Sequence, residues 1–178
     1  MKNCLCDEEF RLDDAMERLF ISALGNRNSG KSSTWNTLFG TTVRTGKLTR
    51  MLSLGGGRCV EVFLISGSPE ERQLYAGEIL DNQKCRIVLC SVQYAEAGRD
   101  TFKYAIENNF SVYTQWLNPG YSDQGDYFDH QGFVPWLLAQ GANISIRDGT
   151  LPTVSRAEEL RQFIDGWATA RGLAFACP

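Results

Sequence analysis

The sequence predicts an α/β fold, a three-layer α/β/α sandwich whose mostly parallel sheet has five or six strands. Two features of the chain predict it. Short apolar runs typical of buried strands alternate with segments that carry helix-start and helix-end signals. One of these runs, residues 86–92, is dominated by Ile, Val and Leu, as is typical of a strand covered on both faces in a parallel sheet.

Composition restricts the class of protein. The chain has 178 residues, 43% of them hydrophobic and 22% charged, so we expect a single domain with a full hydrophobic core at 19–178 and an N-terminal extension at 1–18. The net charge of −3 argues against a broadly basic nucleic-acid surface, and no run of about 18 apolar residues could span a membrane. The first residues are acidic and lack the apolar centre of a signal peptide, so the expected location is cytoplasmic.

The strongest local signal is a glycine-rich loop between a strand and a helix. Residues 19–24 are an apolar run typical of a buried strand, and residues 33–39 are a predicted helix ended by Gly40. Between them, Gly25–Ser32 (GNRNSGKS) fits the phosphate-binding pattern G-x-x-x-x-G-K-[ST] at every fixed position. Strand, loop and helix in this order resemble the P-loop NTPases.

The resemblance implies that the loop binds the phosphates of ATP or GTP. Gly25 and Gly30 let the backbone approach a phosphate, and the loop amides with the positive end of the helix bind the anion. Lys31 is the expected catalytic cation at the β- and γ-phosphates, and Ser32 is the expected Mg²⁺ ligand. The expected nucleotide-binding residues are Gly25, Asn26, Arg27, Asn28, Ser29, Gly30, Lys31, Ser32 and Ser33.

Two β-prone runs follow this helix. Residues 48–54 and 59–65 flank the turn signal 55–58 and are predicted to form a hairpin. A hairpin at this point resembles the GTPase-like branch of P-loop proteins, which implies a GTPase-like strand order and a switch segment before the hairpin. Three threonines there are either switch residues or ordinary loop residues, namely Thr41, Thr42 and Thr45.

Two motifs of that branch are not matched. The second hairpin strand ends in Ser66-Gly67 rather than in the acid of the D-x-x-G pattern, and Asn118 is not followed by the lysine and aspartate of N-K-x-D. Glu71 is near the strand end, but with Ser68 it predicts a capping box for a helix to about residue 80. The choice between ATP and GTP therefore stays open.

Two later features are candidates for chemistry. Gln93, at the end of the next strand, is the second expected catalytic residue because glutamine orients the attacking water in some NTPases; the alternative is a polar strand-end residue. The irregular stretch 121–133 is either a lid or substrate loop, or a solvated connection. Within it, Asp126, Asp129 and His130 are candidates for metal or proton chemistry.

The rest of the chain continues the alternation of helices and strands. Asp100 is expected to cap a helix. Ser155 and Glu158 predict a capping box that opens a last helix to about Arg171. The other expected elements are a strand at 110–117, a short helix at 135–140 and a strand at 143–147.

The six cysteines do not form the two paired clusters that a structural zinc site shows. Cys4 and Cys6 are the one close pair. Cys59, Cys85 and Cys90 lie in or beside apolar runs, so we expect free buried thiols and a reducing compartment.

These observations favour a protein that binds ATP or GTP and hydrolyses it with Mg²⁺. Two other classes stay open. A kinase would pass the γ-phosphate to a nucleotide or small-molecule acceptor held by 121–133 with Arg44, Arg50 or Arg99. A nucleotide sensor or interaction protein, with a protein partner and no hydrolysis, is favoured by the missing strand-end acids.

Overall fold

The computed structural model describes residues 16–81, 84–123 and 128–178. The predicted extension 1–18 therefore lies mostly outside the described residues, as do Cys4, Cys6 and Asp126. The elements in chain order are β1 (Arg18–Gly25), α1 (Lys31–Phe39), β2 (Arg50–Gly55), β3 (Arg58–Ile65), a 3₁₀ turn (Glu70–Arg72), α2 (Ala76–Leu80), β4 (Ile87–Gln93), α3 (Gly98–Glu107), β5 (Phe110–Leu117), α4 (Phe133–Ala139), β6 (Asn143–Arg147), α5 (Thr153–Thr169) and β7 (Phe175–Ala176).

The sheet has the order β2-β3-β4-β1-β5-β6, and β7 pairs with β3 outside this path. β3, β4, β1, β5 and β6 run parallel, whereas β2 and β7 are antiparallel to β3. The predicted mostly parallel sheet is thus confirmed. The described residues form seven strands rather than five or six, because the short C-terminal segment Phe175–Ala176 adds one.

Two hydrophobic cores lie on opposite faces of the sheet. Side chains of β1 alternate between them, with Leu19 and Ile21 in one core and Phe20 and Leu24 in the other. Helices α1 and α5 close the first core, and α2, α3 and α4 close the second. This arrangement is the predicted three-layer α/β sandwich.

The position of the hairpin differs from the GTPase-like strand order that we expected, in which β3 would lie directly beside the loop strand β1. β2 and β3 do form an antiparallel hairpin, with the turn glycines in the left-handed region. However, β4 lies between β3 and the loop strand β1, and pairs in parallel with both. The strand end directly beside the loop is therefore Gln93 of β4, not Ser66-Gly67, since Gly25 pairs in register with Gln93.

Three predicted helix starts are wrong. The expected helix after Ser68 is a 3₁₀ turn followed by the five-residue α2, and the Ser68 hydroxyl, which has no hydrogen-bond partner among the described residues, makes no capping bond. Helix α3 begins at Gly98, so Asp100 lies in its first turn rather than at its cap. Helix α5 begins at Thr153, so Ser155 is inside the helix rather than at its cap. The Thr153 hydroxyl lies 2.5 Å from Thr37 Oγ1 of α1.

The expectation for Cys59 is also wrong. β7 pairs with the start of β3, and Cys177 N donates a hydrogen bond to Gly57 O, which brings Cys177 beside Cys59 in a disulfide. Cys85 and Cys90 are buried free thiols, as expected. Because structural disulfides are rare in reducing compartments, the cysteines no longer support the expected cytoplasmic location.

In the part of the chain that the structure describes, no helix has both the length and the apolar character needed to cross a membrane.

Candidate functional site

The loop after β1 turns sharply into α1. Asn28 and Gly30 have left-handed backbones, with φ of 61° and 101°. A Cβ on Gly25 would stand 2.4 Å from Ser29 Oγ, so the turn requires glycine there. No side chain caps α1, and no acidic residue lies in its first turn. The first amides of the helix, with its positive dipole end, are therefore available to an anion.

The loop lysine lies inside this turn. Lys31 is only 6% exposed, and its ammonium donates hydrogen bonds to Gly25 O and Asn26 O, both at 2.8 Å, and to Gln93 Oε1 at 3.2 Å. Burial lowers the pKa of Lys31 below its ordinary value of 10.5, whereas the nearby carboxylates oppose this shift. The ammonium is thus a desolvated positive charge at the start of the helix, held by three oxygen acceptors.

A cavity of about 430 Å³ opens over the loop. Its walls include Arg27, Asn28, Ser29, Gly30, Lys31, Ser32, Ser33, Glu71, Tyr121 and Ser122. Seven of the nine expected nucleotide-binding residues line it, and the remaining two, Gly25 and Asn26, supply the carbonyls that bind Lys31.

One wall of the cavity comes from the segment after β5. Tyr121 N donates a hydrogen bond to Ser29 O at 3.0 Å, and Ser122 N donates one to Asn28 O at 3.1 Å. These bonds attach the start of the 121–133 stretch directly to the loop. The Tyr121 side chain, 67% exposed, stands beside the cavity.

Acidic side chains surround Lys31. Glu71, Glu70 and Asp123 each raise its pKa, in that order of size. Glu71 is exposed on the cavity wall, whereas Glu70 accepts hydrogen bonds from Gln93 N, at 3.1 Å, and from Thr101 Oγ1. Burial raises the pKa of Glu70 above its ordinary value, and these two hydrogen bonds partly oppose the shift.

The structure separates the other candidate residues from this cavity. Thr45 Oγ1 accepts hydrogen bonds from Ser66 N and Gly67 N, and neither it nor the other two candidate switch threonines line the cavity. Asp129 accepts hydrogen bonds from Phe133 N and Val134 N at the start of α4, so it caps a helix.

The basic residues expected to hold an acceptor also lie elsewhere. Arg50 donates a hydrogen bond to Arg44 O, and Arg99 packs over the rings of Phe133 and Trp136. None of the three arginines lines the cavity, and neither does His130. The three arginines and His130 therefore do not form, at this cavity, the acceptor pocket that a kinase would need.

Sequence reasoning missed Glu71 as a residue of the site. The capping box had accounted for its carboxylate, but the structure contains no such cap and places Glu71 in the wall of the cavity that the loop also lines. One feature of the sequence did indicate a place at the site, namely that Glu71 follows closely after the end of β3. Tyr121 and Ser122 were within the candidate loop 121–133, but nothing in their residue types distinguished them.

The residues present fit a Mg²⁺–nucleotide complex. The hydroxyl of Ser29 is buried in the loop without a hydrogen-bond partner among the described residues, as expected of a group that contacts a ligand. Mg²⁺ is bound in proteins by one or two oxygen side chains together with substrate phosphates and water. Ser32 and Glu71 provide such oxygens in the walls of one cavity.

Comparisons with known proteins assign no family. No family model matches the chain, and no curated protein matches it significantly. Among solved structures, the chain is similar to a variant of Era from Aquifex aeolicus bound to GDP and AlF₄⁻, with 14% identity and a TM-score of 0.38. The alignment covers 87% of this chain and 49% of the Era chain, so this chain spans about half the length of that structure.

Proposed function

We propose that this protein binds a nucleoside triphosphate with Mg²⁺ through residues 25–33, and that it hydrolyses the bound nucleotide. The observation that carries the proposal is the juxtaposition of an uncapped helix N-terminus with the buried ammonium of Lys31 at one cavity. Amides, helix dipole and ammonium there all favour an anion. A chain of phosphates satisfies these amides better than a single carboxylate because it presents several oxygens, and one of them would replace a protein acceptor of Lys31.

Each loop residue has a role in this proposal. The amides of the loop and of the first turn of α1 bind the phosphates, and Lys31 supplies a positive charge near the terminal ones. Ser32 and Glu71 would hold Mg²⁺, directly or through water. Bound Mg²⁺ would neutralise phosphate charge and polarise the phosphate oxygens.

Hydrolysis adds water across the terminal anhydride, giving the nucleoside diphosphate and inorganic phosphate. Lys31 would stabilise the charge that develops on the phosphate oxygens. Gln93 is the residue that we expect to orient water, because its amide lies beside Lys31 at the end of the neighbouring strand.

The proposal is tested by calorimetric titration of the protein with ATP, GTP and inorganic tripolyphosphate in the presence of Mg²⁺, followed by analysis of the recovered nucleotide. We expect binding of all three and slow release of phosphate. Lys31→Ala should abolish tight binding, whereas Lys103→Ala, an exposed lysine of α3, should leave affinity unchanged.

Three results would change the assignment. Unchanged affinity in Lys31→Ala, with the variant folded by circular dichroism, would overturn the phosphate site. Absence of binding by the wild-type chain would do the same. Tight binding with the nucleotide recovered intact would overturn hydrolysis and indicate a nucleotide sensor.

A further inference from the structure

A second cavity, of about 340 Å³, adjoins the phosphate cavity. The two share Gly30, Ser33 and Tyr121 in their walls, so they lie side by side at the start of α1. The second cavity extends away from Lys31 and Glu71 towards the loop between β6 and α5, where Leu151 and Pro152 contribute apolar surface. A ligand whose phosphates lie on the loop could thus extend into it.

Arg156, in the first turns of α5, forms the inner wall of this second cavity. The residue is only 3% exposed. Its Nε donates a hydrogen bond to Thr34 Oγ1 at 2.8 Å, and its Nη1 donates to Leu151 O at 3.0 Å and to Gly149 O at 3.5 Å. These bonds connect α1, α5 and the β6–α5 loop through one guanidinium.

The remaining nitrogen of this guanidinium lies against the phosphate loop. Nη2 would be 3.0 Å from a Cβ on Gly30, so the absence of a side chain at Gly30 permits the approach. Among the described residues, Nη2 donates to no protein acceptor.

The charge of Arg156 is also not balanced by a direct partner. No carboxylate in the described part of the chain forms an ion pair with it, and Asp148 acts only at longer range. Burial lowers the pKa of Arg156, but a guanidinium remains protonated in proteins. Nη2 is thus a charged donor on a cavity wall with no protein acceptor among the described residues, and it is available to a ligand acceptor.

We propose that the second cavity receives the nucleoside end of the nucleotide and that Arg156 Nη2 donates to its base. The inference rests on the proposed function, since it needs the phosphates to lie on the loop. The side chains of Leu151, Pro152 and Tyr121 in its walls give apolar and aromatic contacts that suit an aromatic ring.

The donor chemistry of Arg156 selects among bases. Guanine presents two acceptors, O6 and N7, on one edge, whereas adenine presents the N7 acceptor beside an N6 amino donor. A guanidinium has donors only. Arg156 therefore favours guanine over adenine. In this chain, which lacks the N-K-x-D sequence, a residue of α5 would then select the base.

The first experiment uses the wild-type chain and compares the affinities of GTP, ATP, inosine triphosphate and inorganic tripolyphosphate by calorimetry with Mg²⁺. GTP should bind about tenfold more tightly than ATP. Inosine triphosphate keeps O6 and N7 but lacks the 2-amino group, so it should bind as tightly as GTP. Equal affinities for GTP and ATP, or inosine triphosphate binding as weakly as ATP, would overturn the assignment to Arg156.

The second experiment compares Arg156→Gln and Arg156→Met with Arg161→Gln, an arginine of the same helix that lines neither cavity. Both Arg156 variants should bring the GTP-to-ATP affinity ratio close to one and leave tripolyphosphate affinity within about twofold. The Arg161 variant should keep the wild-type ratio. Arg156→Met keeps an unbranched side chain without any donor, and it decides the question if Arg156→Gln does not fold.

The outcomes separate this inference from the proposed function. If the Arg156 variants bind tripolyphosphate and their GTP-to-ATP affinity ratio is unchanged, the base contact is overturned and the phosphate site is still supported. Loss of tripolyphosphate affinity in parallel with both nucleotides would mean that Arg156 acts on the phosphate loop instead. Failure of the wild-type chain to bind tripolyphosphate or any nucleotide would remove the proposed function itself.

Discussion

Lys31 Nζ donates a hydrogen bond to Gln93 Oε1 over 3.2 Å, and this bond joins the phosphate loop to the end of the neighbouring strand β4. The contact exists because β4 pairs in parallel with β1, in a register that sets Gln93 opposite Gly25. The backbone of Gln93 is also fixed, since its amide donates a hydrogen bond to the partly buried carboxylate of Glu70. The loop lysine and the strand-end glutamine are therefore one hydrogen-bonded unit.

This unit predicts the behaviour of Gln93→Ala. If Gln93 orients water beside Lys31, the substitution should lower kcat by about 10²-fold with little change in nucleotide affinity. Single-turnover phosphate release, with affinity measured separately, checks the expectation. Gln140→Ala, an exposed glutamine after α4, is the control. A drop in affinity with unchanged kcat would mean that Gln93 only positions Lys31 for binding.

Glu71→Gln should change nucleotide affinity in opposite directions with and without Mg²⁺. With Mg²⁺, nucleotide affinity should fall about fivefold because the variant loses a ligand for the cation. With EDTA, nucleotide affinity should rise about fivefold because the repulsion between the carboxylate and the phosphates disappears. Titration of the nucleotide under both conditions measures the pair of effects. Glu78→Gln, an exposed glutamate of α2, should change neither. A decrease under both conditions would contradict a role at the cation.

The partly buried carboxylate of Glu70 should make stability depend on pH. Burial raises its pKa in the native state above the ordinary value of 4.5, so above pH 4.5 the native state binds more protons than the unfolded one. The contribution of Glu70 to the free energy of unfolding should therefore fall as pH rises from 4.5 towards neutrality. Urea unfolding of the wild type and of Glu70→Gln across this range measures the difference, which should decrease with pH. A difference that grows with pH would show that the native pKa is lowered instead.

Gly30 and Gly40 form a matched pair for substitution by alanine. Both have left-handed backbones, so each change should cost about 1–2 kcal/mol of stability. A Cβ on Gly30 would also meet Arg156 Nη2 at 3.0 Å, whereas nothing lies within 4 Å of one on Gly40. Gly30→Ala should therefore weaken tripolyphosphate binding, and Gly40→Ala should not, as measured by calorimetry beside thermal unfolding. Equal binding by both variants would contradict the requirement for glycine at position 30.

The disulfide between Cys59 and Cys177 should contribute about 2–4 kcal/mol to the free energy of unfolding, because it closes a long loop with a sequence separation of 118 residues. Cys177→Ser should lose this amount in urea unfolding. The reduced wild type should match the variant, and reductant should not affect the variant. Equal stability of oxidised wild type and variant would contradict the contribution.

The sequence by itself determined the elements whose signals are local. The strand, glycine-rich loop and helix at 19–40 were predictable because the conformations of Gly25 and Gly30 and the apolar run of β1 depend on neighbouring residues. The hairpin was predictable for the same reason, since three consecutive glycines form its turn. The parallel character of the sheet followed from the alternation of apolar runs with helices.

Only the tertiary structure decided which residues meet at the loop. The insertion of β4 between β1 and β3 is a pairing between distant segments, and it placed Gln93 rather than Ser66-Gly67 beside Lys31. The same is true of the Cys59–Cys177 bridge, which depends on the pairing of β7 with β3. Strand order and long-range contacts are set by the packing of the whole core, so no local pattern reports them.

The tertiary structure also decided the meaning of side chains whose types are ambiguous. Glu71 fits a capping box in the sequence, yet the chain forms a 3₁₀ turn there and directs this residue to the cavity wall. Arg156 is one of several helix arginines in the sequence, and only the approach of α5 to α1 buries it against Gly30. Burial and the surrounding charges change what a carboxylate or a guanidinium can do, and both are properties of the packed fold.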